Sequence, residues 1–414
     1  MQIKFLIIEL CFSIPTVVVA YNFNYSTPSS KNSSDSGVIT SKGLSYEYIA
    51  KIFQKASQYL NAKFKDVKAS RKLPQSMKRG LRTISDWRSA FYPGDLWLLY
   101  NYTKTNALLQ KAKFATQLVE EEKYYTKDHD IGFRIYCSFG QGYKMTNTPE
   151  YQKVIIQAAK SAITRYHPKV KAKKPWESQP ERGWQYLVII DNTINLELLF
   201  AAIKFTRDST FYDIAVNHAN TILKYQYRKD LSCSHVIDFD SITGDFRKRD
   251  WNKGNDNPKT AVWSRGQSWG LYGFAMTYRE TRDLNYIQQA EIITDFILTH
   301  PNLADDMVPY WDYNALEIPT LRDASAAAIM ASASMELAVL SENNNVTYFQ
   351  SGEKIFKTLS SLEYFAEPGT NGNFLIKHAT GDFLKYSELD VTFIYADYYF
   401  LEALSRYNNI KEYK

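Results

Sequence analysis

From Ser45 onward the apolar positions fall at helical spacing, beginning with Tyr46, Ile49, Ala50, Ile52, Phe53 and Ala56 at intervals of three and four. One unit then recurs: a short polar turn, an aromatic or aliphatic residue, and an alanine-bearing amphipathic helix. It stands at residues 102–106, 146–151, 206–212 and 281–286, and more loosely at 342–348. Helical hairpins repeated at a loose period predict a solenoid or a closed toroid. Uniformly stacked repeats would hold a tighter period, and the long inserts 167–182 and 234–262 suit loops gathered at one mouth of a barrel. The pattern therefore predicts an all-α toroid with short β pieces in its loops, one of them a hairpin over 234–240 with its turn at 241–244. No linker interrupts residues 45–410, so 45–414 reads as a single domain.

One stretch breaks the pattern. Leu187-Val188-Ile189-Ile190-Asp191-Asn192-Thr193-Ile194-Asn195-Leu196 is an apolar run with an acid and two amides in its middle. Buried polar groups are costly without partners or a task. Asp191 or Asn192 could simply cap a helix running on through Phe200, or Asp191 could be a catalytic acid. A second acid stands in Asp128-His129-Asp130-Ile131-Gly132-Phe133, where a metal ligand set, a helix cap and a catalytic carboxyl all compete. Two helix-entry acids converging on one barrel mouth would split their titrations, one protonated and one ionised near neutrality.

Composition narrows the partners. The net charge of +6 is scattered, and neither a zinc finger, a phosphate-binding loop nor a basic helix is present, so a polyanionic ligand fits and nucleic-acid binding has no support. Tyrosine (31) and tryptophan (8) are abundant enough to line a platform for sugar rings as well as a core. Trp87, Trp176, His235, Arg265 and Trp269 lie in the predicted loops or at helix starts. Each also has a plain reading: packing for the tryptophans, a satisfied strand histidine, a surface or capping arginine. At the N-terminus, Lys4, the apolar residues 5–19 and Val18-Val19-Ala20 read as a signal peptide over 1–20, followed by a Ser/Asn-rich disordered leader over 21–44. The expected location is periplasmic or secreted, with a lipid anchor at Cys11 the minor alternative. No other segment is long and apolar enough to span a bilayer.

Six motifs, in order, resemble the unsaturated glucuronyl hydrolases, glycoside hydrolase family 88. They are His129-Asp130-Ile131-Gly132-Phe133, Ile190-Asp191-Asn192 with Asn195-Leu196, Trp263-Ser264-Arg265-Gly266-Gln267-Ser268-Trp269-Gly270, Tyr310-Trp311-Asp312, Arg322-Asp323-Ala324-Ser325-Ala326 and Tyr395-Ala396-Asp397-Tyr398-Tyr399. The resemblance implies an (α/α)6 barrel, neither metal nor organic cofactor, and a substrate left by a polysaccharide lyase: an oligosaccharide, possibly sulfated, ending in a 4,5-unsaturated uronate. It implies that a protonated Asp191 delivers a proton to C4 while water adds at C5, and that Asp130 is the second essential acid. Trp87, Trp176 and Trp269 match ring-stacking aromatics, and His129, His235 and Arg265 match polar contacts. Lys253 departs from the glutamine some members carry there, and the loop after it is longer.

Two rivals remain open. An unsaturated rhamnogalacturonyl hydrolase would share barrel and chemistry, while a non-catalytic glycan-binding protein would need only the aromatics and Arg265 and would tolerate Asp191→Asn.

Overall fold

The computed structural model describes residues 43–412 except 251, 252, 256, 258 and 343, so the expected signal peptide and nearly all of the leader lie outside the described residues. Leu44, placed in that leader by its sequence, is packed: it is 9% exposed and its N–H donates to the Tyr407 hydroxyl at 2.6 Å.

In chain order the helices are α1 (Tyr46–Ser70), α2 (Phe91–Thr103), α3 (Asn106–Leu118), α4 (Ile131–Ile135), α5 (Gln141–Thr146), α6 (Pro149–Ile163) and α7 (Glu197–Thr206). After them come α8 (Ser209–Tyr225), α9 (Ser264–Thr281), α10 (Leu284–Thr299), α11 (Ala324–Leu340), α12 (Asn345–Leu359) and α13 (Ile394–Glu412). A π-turn at Tyr136–Gly140 joins α4 to α5, so these two form one bent column.

The columns make two concentric rings, an (α/α)6 barrel. Residues Ser264–Thr277 of α9 and Ala324–Ala338 of α11 are buried on every side, as an inner-ring helix must be. By contrast α1, α6, α8 and α12 bury one face at three- and four-residue spacing and form part of the outer ring. The inner ring runs α2, α4–α5, α7, α9, α11, α13 and closes where α13 packs on α2.

The recurrent polar turns have a common geometry. Lys104, Asn147, Arg207 and Arg282 end α2, α5, α7 and α9 in the left-handed conformation, φ 51–61°, and each backbone N–H returns to the carbonyl four residues back. Asp208 and Asp283 then cap α8 and α10, accepting from Thr210 and Asn285 N–H at 3.0 Å.

The inserts supply the strands β1 (Leu73–Ser76), β2 (Gly80–Arg82), β3 (Tyr166–His167), β4 (Ala172–Lys173), β5 (Tyr186–Ile189), β6 (Val236–Phe239) and β7 (Phe246–Asp250). The predicted hairpin is β6–β7, with Val236 opposite Asp250. One element carries no assignment in the sequence reading: the apolar residues 186–189 form a third strand, β5, antiparallel to β6, from which the chain passes into the helical turn at 190–196. A fully buried four-residue apolar run suits a strand as well as a helix, and only the partner decides. Cys137 and Cys233 are both buried and unbonded.

Candidate active site

The N-terminal ends of the inner columns open on the same mouth. Trp87 and Arg88 precede α2, Asp130 precedes α4, Asp191 lies in the turn before α7, Arg265 in the first turn of α9, Asp323 at the cap of α11 and Tyr395 in the first turn of α13. Helix N-termini present unpaired N–H groups and positive potential, so this mouth favours an anion.

Sheet register places Asp191. Ile189 of β5 faces Val236 of β6, and Ile190 N–H donates to the His235 carbonyl at 3.3 Å. The chain then turns through a 3-10 helix, Ile190–Leu196, before α7 begins at Glu197. Asp191 thereby meets the side chain of His235, with Nε2 3.4 Å from Oδ2, a contact longer than a well-formed hydrogen bond.

The polar residues of the apolar run are accounted for. Asn192 takes the capping role, accepting from Ile189 N–H at 3.1 Å and donating to the Lys173 carbonyl at 3.3 Å. Thr193 Oγ1 donates to the Ile190 carbonyl at 2.6 Å. Asp191 is left for the mouth. Asp130 likewise makes no side-chain cap bond, although it sits at the cap position of α4.

Asn195 joins the two acids. Its Oδ1 accepts from Phe133 N–H at 2.9 Å, and its Nδ2 lies 3.4 Å from both His129 Nδ1 and the Asp191 carbonyl. Gly132 is required here, because a Cβ would stand 2.4 Å from Asn195 Oδ1 and 2.8 Å from its Cα. With Nδ1 accepting from the amide, the His129 proton rests on Nε2, which faces Asp130 Oδ1 at 3.3 Å. Asp128 is not a ligand turned toward this pair: its carboxylate accepts from Arg134 Nη2 at 2.8 Å and from Asp130 N–H at 2.9 Å.

The two acids titrate apart. Burial, reinforced by the charges of Asp128 and Asp191, pushes Asp130 well above the ordinary carboxyl range. Burial also pushes Asp191 up, but the polar contact with His235 and the neighbouring imidazole of His129 outweigh it and bring Asp191 below its ordinary value. Both histidines are neutral near pH 7, burial drawing His129 down to about 4 and His235 below its usual value. These directions put the proton of the resting pair on Asp130, whereas the resemblance implies a protonated Asp191.

The expected aromatics occupy different places. Trp87 is half-buried, stacked on Tyr395 at 5.2 Å and tilted over Phe133 at 5.5 Å. Trp176, also half-buried, packs on the small apolar cluster of Trp184, Leu187, Ile189 and Val236, and the Pro175 carbonyl accepts from His129 N–H at 2.9 Å. Trp269 is 1% exposed, wedged between Phe133 at 5.6 Å and Tyr399 at 5.5 Å. Its ring is the floor of the aromatic layer rather than the open stacking face the sequence suggested.

Arg265 is also more occupied than expected. It pairs with Asp323, and donates to Ser325 Oγ at 3.1 Å and to the Thr380 and Gly381 carbonyls at 2.7 and 3.0 Å. These contacts are all made by its two Nη groups, and its Nε donates to none of them. Sequence reasoning singled out Lys253 but missed its partner and the neighbouring ion pairs. Lys253 pairs with Asp382, which Lys385 approaches at 3.2 Å, and Arg88 joins Asp86 to Glu388. Charged residues 300 positions apart carry no local signal of their pairing.

Helical double barrel, clamped carboxyl pair and aromatic mouth define the class as an α/α-barrel glycoside hydrolase. No family model matches the chain. An unsaturated glucuronyl hydrolase of Formosa agariphila is 45% identical over 327 residues, 78% of this chain and 80% of that protein. An unsaturated chondroitin disaccharide hydrolase of Streptococcus pyogenes serotype M1 is 31% identical over 330 residues, 78% and 81% of the two chains. The crystal structure of an unsaturated glucuronyl hydrolase specific for heparin superposes with a TM-score of 0.83 at 37% identity, covering 89% of this chain and 99% of that one. The chain belongs to the unsaturated glucuronyl hydrolase family.

Proposed function

We propose that the protein removes the non-reducing 4,5-unsaturated uronate from lyase-generated oligosaccharides by hydrating its C4=C5 bond, with Asp191 as general acid and base. The observation that carries this reading is the clamped pair: Asp191 against His235 and Asp130 against His129, held together by Asn195.

The substrate's carboxylate is drawn by the helix N-termini and by the positive charge of Arg265. Its negative charge and the water it displaces both raise the Asp191 carboxyl, so Asp191 becomes protonated as the uronate docks. Asp191 gives this proton to C4, and the positive charge that develops at C5 is shared with the ring oxygen. Water adds at C5 and returns a proton to Asp191, leaving a hemiketal. The C5 to ring-oxygen bond then breaks to a ketone, and the hemiacetal left at C1 releases the remaining saccharide. One water is consumed and the carboxyl is regenerated. Asp130 holds the second proton and positions the uronate, while Trp87 and Trp176 flank the rings.

Glycosaminoglycan fragments are the first substrate class, supported by the names of the heparin-specific and chondroitin-disaccharide relatives; ulvan-type sulfated fragments are the second. Lys253 and the exposed Lys385 supply cations for a sulfated leaving sugar. The same reading makes residues 45–414 the catalytic domain of an exported protein cut after Ala20, which N-terminal sequencing of the mature chain tests.

The test is loss of the conjugated uronate absorbance on unsaturated disaccharides from chondroitin, heparin, hyaluronan and ulvan. Wild type should bleach at least one and Asp191→Asn none. A band that persists on every sugar despite binding would instead mean a glycan-binding protein.

A further inference from the structure

One helical turn after Asp130 stands an arginine that the proposed reaction does not use. Arg134, near the end of α4, is 3% exposed, and its guanidinium is shared among three other segments of the chain. Nη2 donates to Asp128 Oδ2 at 2.8 Å, in the loop that carries Asp130. Nη1 donates to Glu122 Oε2 at 3.1 Å, in the 3-10 turn after α3, and to the Ser85 carbonyl, in the loop that carries Trp87. The guanidinium also lies over the Tyr125 ring, 4.1 Å from its centroid.

Two of these contacts pass on to the site. Asp128 Oδ2 holds Arg134 while Asp128 Oδ1 accepts from Asp130 N–H at 2.9 Å, so one carboxylate couples the guanidinium to the backbone of the second acid. On the other side, the Ser85 carbonyl stands two residues before Trp87. The chain there is held by Asp86, whose Oδ1 accepts from Arg88 N–H and Nε, both at 2.9 Å, and whose carbonyl accepts from Ser89 N–H at 3.0 Å. Trp87 in turn tilts over Phe133, the residue before Arg134 in α4, at 5.5 Å. Charge balance alone would need one carboxylate. The further contacts go to the two loops that present Asp130 and Trp87, and acceptors on separate segments suit a planar fork of donors rather than an ammonium.

We propose that Arg134 is a positioning residue: through Asp128 on one side and the Ser85 carbonyl on the other, it fixes Asp130 relative to Trp87 and so the uronate between them. The arginine also acts on the acid by charge, opposing the burial and the charges of Asp128 and Asp191 that push Asp130 up. The placing of the uronate rests on the proposed function; the fixing of one loop against the other does not.

The experiment is a double-mutant cycle between Arg134→Lys and Trp87→Ala in the full chain carrying Asp191→Asn, so that the sugar stays intact. It is read as the Kd for an unsaturated chondroitin disaccharide, alongside amide hydrogen exchange at Asp130 and Ser89, one in each loop. Arg134→Lys keeps the buried charge and loses the fork. Trp87→Ala should then weaken binding by a factor about threefold smaller in the lysine background than in the arginine one. Both amides should exchange faster, by about tenfold, as the loops come loose from each other. Independent effects of the two substitutions on Kd, or exchange unchanged at either amide, overturn the proposal, even if the melting temperature falls. Asp128→Asn breaks the same link from its other end, with the same readouts, should the lysine variant not fold. If the disaccharide does not bind with Arg134 and Trp87 both present, the proposed function fails, while the exchange rates still decide whether Arg134 fixes the two loops.

Discussion

Asp191 and His235 meet because two strands are in register: one hydrogen bond from Ile190 N–H to the His235 carbonyl fixes the backbone, and the side chains follow to 3.4 Å. His235 is itself 5% exposed, its ring edge-on to Trp263 at 5.0 Å. The proposed catalytic acid is thus tuned by a neighbour whose position belongs to the sheet, not to the helical barrel.

His235→Asn should therefore act through Asp191. With the histidine gone, burial remains and the opposing contact is lost, so the Asp191 carboxyl rises. The alkaline limb of kcat/KM, which reports the free enzyme, should move to higher pH. A profile identical to wild type would show that His235 does not tune Asp191.

Gly132→Ala tests the clamp. The new methyl would meet Asn195 at 2.4–2.8 Å, and neither segment can yield without moving an acid. Stability should fall by about 1–3 kcal/mol, and activity should fall further than the melting temperature explains.

The motif segments were legible in the sequence because each concentrates unusual residues locally, as in Asp191-Asn192 within an apolar run. The hairpin repeat was legible too, since the left-handed turns at Lys104, Asn147, Arg207 and Arg282 recur with polar neighbours. What failed was non-local. The strand nature of residues 186–189 depends on β6, some fifty residues on. The burial of Trp269 depends on Phe133 and Tyr399, and the engagement of Arg265 on Asp323 and the 380–381 carbonyls.

His129 should stay neutral through mildly acidic pH. Its folded value of about 4 lies below the ordinary 6.5. Its contribution to stability is therefore complete above pH 6.5 and is lost as pH falls from there toward 4. Imidazole NMR should show no His129 titration above about pH 5, and Asp191→Asn should lower the midpoint further by removing a favourable charge. A His129 midpoint near 6.5 would contradict the buried placement.

Trp87→Ala removes a half-buried ring stacked on Tyr395. Loss of one aromatic contact should raise KM roughly 3- to 10-fold with a smaller change in kcat. A loss confined to kcat would place Trp87 outside the sugar-binding surface.

The most direct test of hydration by Asp191 is turnover of an unsaturated disaccharide in D2O, followed by NMR at C4 from the first turnover. Wild type should place deuterium at C4 with a single stereochemistry, while Asp191→Asn should bind the sugar yet lose activity by roughly 10²- to 10⁴-fold. Release of the leaving sugar with the C4=C5 bond still intact, or deuteration undiminished in Asp191→Asn, would contradict the account.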